Sequence, residues 1–137
     1  MHNQRQADVD AALAHAAEVL GDVTPLVMAE FYRQFPDARA SFVHHALGDP
    51  GRLEAEMVDN ALYFVMTWRE RRMEVEIIIQ TSTPHHAETL GVPAAWYGGL
   101  LAATIDVLAS AARGPGDAAL WAGLRAELLA TIDSAMD

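Results

Sequence analysis

The run Met73 to Ser82, MEVEIIIQTS, can be read with either of two periods, and the choice decides the fold. Met73, Val75, Ile77 and Ile79 alternate, as the core-facing residues of a β-strand do. A strand must pair its backbone N–H and C=O groups with a neighbour, and alternating runs are almost absent from the rest of the chain. The run is therefore predicted to be helical. Helical periodicity then dominates the whole sequence, and the expected class is all-α.

Downstream, Thr83-Pro84 looks like a capping residue followed by proline at the first helical position, where the missing N–H costs nothing. A short helix or a kinked continuation is predicted to start there and to end near Leu90, with Gly91 as its left-handed stop. His85 and His86 then lie in its first turn. Pro93 is predicted to open a long helix to about Ala112, with Trp96 or Tyr97, Leu100 or Leu101, Ile105 and Leu108 on its buried face. The break RGPGD, Arg113 to Asp117, separates it from a last helix over about Ala118 to Ala135, which presents Leu120 or Trp121, Leu124, Leu128 and Ile132.

Upstream, Leu53, Met57, Ala61, Phe64 and Trp68 recur at helical steps and mark one apolar stripe along a helix of about five turns. Glu54, Glu56 and Asp59 lie off that stripe near the positive end of the helix dipole and are expected to be solvated. The basic run WRERR, Trp68 to Arg72, is expected to be a solvated helix end. A first helix is predicted over Ala7 to Leu20, with Val9, Leu13, Ala16 and Leu20 on one face and Gly21 beyond its end. Thr24-Pro25 opens a second helix to about Gln34. Pro36 stops it and seeds a short turn, PDARASF, ending at Phe42. The loop VHHALGDPG follows, with Gly48, Asp49, Pro50 and Gly51.

The chain has 137 residues, the size of one ordinary domain, so residues 1–137 are expected to form a single unit. Hydrophobic residues make up 52% of it, enough for a substantial core. Nine Lys and Arg against 19 Asp and Glu give a formal charge of −10, whose field would repel nucleic acid and anionic membranes alike. The N-terminus lacks an apolar signal core, and no apolar run approaches the roughly 18 residues that span a bilayer, so a cytoplasmic location is the default expectation. There is no cysteine, which removes disulfides, thiolate nucleophiles and thiolate metal sites together. No Ser-His-Asp arrangement, Gly-rich phosphate loop or paired-acid motif stands out, so hydrolase and kinase chemistry is set aside.

With the helices placed, their order resembles a globin: two helices, a proline-started turn, a loop, a long helix, a short helix with histidine, then two long helices. That fold packs six to eight helices around a haem pocket. The most specific local match is FYRQFPDARASF, in which Pro36 precedes Phe42 by six residues, as in the globin turn whose phenylalanine stacks on the haem. The second is HHAETLGVPAAWY, which resembles the corner after the proximal histidine. His86 stands six residues before Val92 and ten before Trp96. LGVPAAWYGG is also similar to the corner of bacterial globin-coupled sensor domains, whose histidine usually lies one residue nearer, at the place Ala87 holds here. A one-residue slip is easily absorbed in this corner, so the resemblance implies His86 as the iron ligand, with His85 as second choice. Neighbours on a helix diverge by about 100°, so only one of the two faces inward. Ser82 stands where globins usually carry a leucine, and Pro84 implies a kink near the ligand.

On the distal side the same spacing implies Met28, Leu53 and Met57, none of which donates a hydrogen bond, with Tyr32 as the nearest polar substitute. His44 falls where globins often contact a haem propionate, and His45 and Arg52 could serve similarly. The resemblance thus implies a protein that carries haem b and binds or senses O2, NO or CO at an apolar pocket, with carbon monoxide held well and oxygen released quickly. A sensor of this kind normally feeds an output domain, so a separate partner or a longer chain is implied. The sparse charge of the last helix fits a homodimer through the last two helices, and a two-layer core accounts for it equally. Each site residue also has a plain reading. Met28, Leu53, Met57 and Phe42 pack in any helical core, and most histidines are not ligands. The rival expectation is a haem-free globin-fold module for signalling or interaction.

Overall fold

The computed structural model describes residues 2–88 and 91–135, and every regular element among them is helical. The expectation of an all-α chain is met. The segment around Met73 to Ser82 lies inside α5, Arg72–Glu88. Val75 and Ile79, one turn apart, are 0% exposed, whereas Met73 is 76% and Ile77 58% exposed. The alternation that suggested a strand is thereby split between two faces of a helix. No new helix starts at Thr83-Pro84, because α5 runs through Pro84. The end foreseen near Leu90 lies outside the described residues, while Gly91 has the left-handed φ of 68° expected of a stop.

The first helix, α1, spans His2–Leu20, starting earlier than Ala7. It buries Val9, Ala12 and Ala16, spaced at helical steps, and stops at Gly21, whose φ is 68°. Helix α2, Thr24–Gln34, follows at 90° to α1. Its cap is Val23 rather than Thr24, and the side chain of Asp22 accepts the Thr24 N–H at 3.0 Å. Helix α3, Ala38–His45, runs past Phe42 through both histidines of a segment expected to be loop. Helix α4, Pro50–Thr67, also begins within that loop. There Asp49 accepts the Arg52 N–H at 3.1 Å and Pro50 occupies the first turn, where no intrahelical N–H bond is lost. Helices α6, Ala94–Ala109, and α7, Pro115–Ala135, complete the chain.

Helix α6 is the hub, packing against α7, α2, α4 and α5. That position explains its composition, since a helix covered on several sides must be apolar all round. Leu101, Ala102, Ala103, Thr104 and Ile105 are consecutive and all buried. The Thr104 hydroxyl is satisfied by the Leu100 carbonyl at 2.9 Å. Helix α7 lies across α5 and α6, burying Trp121, Leu124, Leu128 and Ile132. Each such side chain stabilises the fold by about 1.5–3 kcal/mol relative to exposure.

The corner between α4 and α5 differs from a solvated end. Trp68 is fully buried and its Nε1–H donates to Glu127 of α7 at 3.3 Å, while Arg69 and Arg72 each lie 3.7 Å from the same carboxylate. The Arg72 guanidinium also sits over the Trp68 ring, 4.8 Å from its centre. No single helix among the described residues is long and apolar enough to cross a membrane.

Candidate functional site

Helical phase places the central residue of the site. Ile78, Ser82 and His86 recur every four residues along α5, so they share a face, and all three line a cavity of about 580 Å³. His85, a further 100° round the helix, is exposed and lies outside the cavity; its ring stands nearly perpendicular to that of His86, 6.0 Å away. The His86 Nδ1 lies 2.7 Å from the Ser82 carbonyl oxygen. A carbonyl can only accept, so Nδ1 carries a proton, and in the neutral form of the ring the lone pair falls on Nε2. The Gly91 turn reinforces this placement, because the Val92 N–H donates to the His86 carbonyl at 2.8 Å and brings Val92 into the cavity wall.

Helix α6 closes the same side with Trp96, Tyr97, Leu100 and Leu101. The Tyr97 ring lies 5.1 Å from that of His86. Burial pushes the Tyr97 phenol above its usual range, and hydrogen bonding with Ser82 pulls the other way. Ser82 thus holds the His86 ring through its carbonyl.

Helix α4 contributes Leu53, Met57, Ala61 and Phe64 at the helical steps of its apolar stripe, with Asn60 and Tyr63 beside them. The Tyr63 hydroxyl is engaged by Glu74, to which it donates at 2.7 Å. Helix α3 contributes Ser41, Phe42 and His45. Phe42 stands edge-on to Phe31 and Tyr32, with ring centres 6.1 and 5.8 Å away, an arrangement that fixes its plane. The His45 Nδ1 lies 2.9 Å from the Ser41 carbonyl and 3.3 Å from its hydroxyl.

Of the residues singled out from the sequence, His86, Phe42, Leu53, Met57 and Val92 come together around this cavity. Met28, Tyr32 and His44 do not line it. Met28 is buried in the core, and Phe31, one turn further along α2, supplies the wall instead. Tyr32 turns toward Glu54, donating to its carboxylate at 2.7 Å, with Arg39 stacked over its ring at 4.4 Å. Burial, and then the Glu54 carboxylate, hold its phenol protonated well above the ordinary range. His44 is exposed, and its neighbour His45 faces the cavity in its place. Arg52 is exposed and pairs with Glu56 at 3.2 Å. Phe31, Ile78 and Tyr97 were not foreseen as wall residues. The spacing Ile78, Ser82, His86 carried that signal for α5.

Among the described residues no group of three or more His, Asp or Glu side chains gathers to chelate a bare ion. Two imidazoles, those of His86 and His45, instead line a largely apolar hollow. The volume also lies within the range of about 300–1,000 Å³ common to pockets for bound organic groups. A second, shallower groove of about 380 Å³ runs between α6 and α7, floored by Gly98, Gly99 and Ala102 against Leu129 and Ile132. No family model, curated protein or solved structure matches this chain.

Proposed function

We propose that the protein is a globin-like domain that binds haem b through His86 and uses it to bind or sense a diatomic gas. The observation that carries this reading is the Nδ1 bond of His86 to the Ser82 carbonyl, 2.7 Å, on a ring that lines a cavity of about 580 Å³. That bond fixes the ring's orientation and tautomer and raises the basicity of Nε2, as the outer partners of metal-bound histidines do. Phe42, held edge-on by its aromatic neighbours, offers a flat apolar face to a porphyrin. Leu53, Met57 and Phe64 exclude water along α4 and donate no hydrogen bond. When bound, haem supplies an iron that takes a diatomic ligand.

The test is the visible spectrum of the purified chain with and without added haem. The expected result is an intense Soret band that is lost in His86→Ala and kept in His85→Ala. A colourless protein that takes up no haem overturns the reading. One observation favours a haem-free interaction module instead, namely Pro84, two residues before His86 and inside α5, where it withholds the N–H that the Gln80 carbonyl would otherwise receive.

A further inference from the structure

Two imidazoles line the cavity, and they are built alike. His86 on α5 has Nδ1 at 2.7 Å from the carbonyl of Ser82, four residues earlier; His45 on α3 has Nδ1 at 2.9 Å from the carbonyl of Ser41, also four residues earlier. In each case the acceptor is a carbonyl, so Nδ1 holds a proton and, in the neutral ring, Nε2 holds the free lone pair. The Ser41 hydroxyl lies further from His45, at 3.3 Å, so the carbonyl bond sets the tautomer. A neutral imidazole in this state accepts a proton or binds a metal, and it has no hydrogen to donate to a ligand.

The other polar side chains in the wall compete poorly as donors to iron. The Tyr63 hydroxyl is engaged by Glu74, and burial holds the Tyr97 phenol in its protonated form. Ser41, Asn60 and Ser82 offer neutral hydroxyl and amide oxygens, which are weak ligands beside an imidazole. The thioether of Met57 is the one remaining rival.

We propose that His45 would serve as a second ligand to the iron of a haem held by His86, in competition with a gas. The proposal rests on the haem reading above and extends it, because it assigns the resting state of the iron and makes gas binding a competition with a residue of the chain. His45 is half-exposed, on the last turn of an eight-residue helix, and is followed by Leu47 and Gly48 with φ of 52° and 94°. A ligand at such a place can leave without unpacking the α6–α7 core.

The test uses the full chain loaded with haem and read by absorption and electron paramagnetic resonance in the ferric state. Wild type is expected to be low-spin, and His45→Ala and His45→Gln, the second of which keeps a side chain of similar length, are expected to be high-spin. His44→Ala, altering an exposed residue outside the cavity, should match wild type. In the ferrous state the rate of carbon monoxide binding should level off at high gas concentration in wild type, limited by release of His45, and should rise linearly in His45→Ala. If His45 is bound in about nine molecules of ten, its removal raises apparent carbon monoxide affinity about tenfold. A high-spin wild type with a normal Soret band overturns the proposal and leaves the haem reading standing. A low-spin spectrum that survives both substitutions also overturns it, and directs attention to Met57. Absence of a Soret band in every variant overturns both.

Discussion

An imidazole tied through Nδ1 to a carbonyl leaves Nε2 available to other partners, and this chain makes that arrangement twice with the same local geometry. The device is cheap, because a helix already exposes the side chain of one residue to the carbonyl four before it. Close to His86 the same helix carries an uncorrected polar group. Thr83 is 0% exposed and its hydroxyl has no hydrogen-bond partner. A buried hydroxyl without a partner costs about 1–3 kcal/mol, so Thr83→Val is expected to leave stability unchanged or to raise it by about 1 kcal/mol. Chemical denaturation measures this directly, and a loss of more than about 1 kcal/mol would show that the hydroxyl has a function in the fold. The site was partly legible at this scale. His86, Phe42, Leu53, Met57 and Val92 were reached from spacing and resemblance, because a helix and its corner fix their relative positions. Met28 was selected in place of Phe31, since counting along a chain gives the face of α2 but not how far α2 slides along its neighbours.

At the scale of one element, α5 explains why its sequence was ambiguous. Residues four apart share a face in a strand and nearly share one in a helix, so Val75 and Ile79 satisfy both patterns. The decision rests on residues two apart. Val75 and Ile77 fall on opposite sides of the chain's helix, and Ile78, which breaks the alternation, reaches the cavity wall. The boundaries were less legible than the helices themselves. Asp49 and Pro50 read as loop residues from composition, yet the same two types are those that start a helix, and here they start α4. In α6 two adjacent glycines face different neighbours. A Cβ at Gly99 would overlap Cε2 of Phe35 and lie 2.9 Å from Cζ, whereas a Cβ at Gly98 would meet Leu129 at an ordinary 3.6 Å. Gly98→Ala is therefore expected to stabilise the protein by up to about 1 kcal/mol through helix propensity. Gly99→Ala should destabilise it by about 1–3 kcal/mol, because the Phe35 ring, packed 5.5 Å from that of Phe31, must shift. Thermal melts of the two variants should move in opposite directions, and a rise in both would mean that Phe35 yields freely.

Across the whole molecule, the run WRERR shows what local patterns leave out. Its arginines look solvated until Glu127, distant in sequence, is placed beside them by the packing of α7 on α5. No periodicity signals such a meeting. The two ion pairs are long and partly exposed, so they add little. The bond that matters is from the buried Trp68 Nε1–H to Glu127. Glu127→Gln keeps an acceptor there and is expected to cost less than about 1 kcal/mol, whereas Glu127→Leu strands the indole N–H and should cost about 1–3 kcal/mol. Equal losses in the two variants, measured by urea unfolding, would assign the stabilisation to charge. The cavity, for its part, takes wall residues from α2 through α6, and among the described residues none comes from α7, the 21-residue helix behind α5 and α6. The chain thus divides its labour along its length. The earlier segments dictate which atoms a guest would meet, and the final one is a buttress, where sequence drift retunes the stiffness of the chamber while its chemistry stays intact.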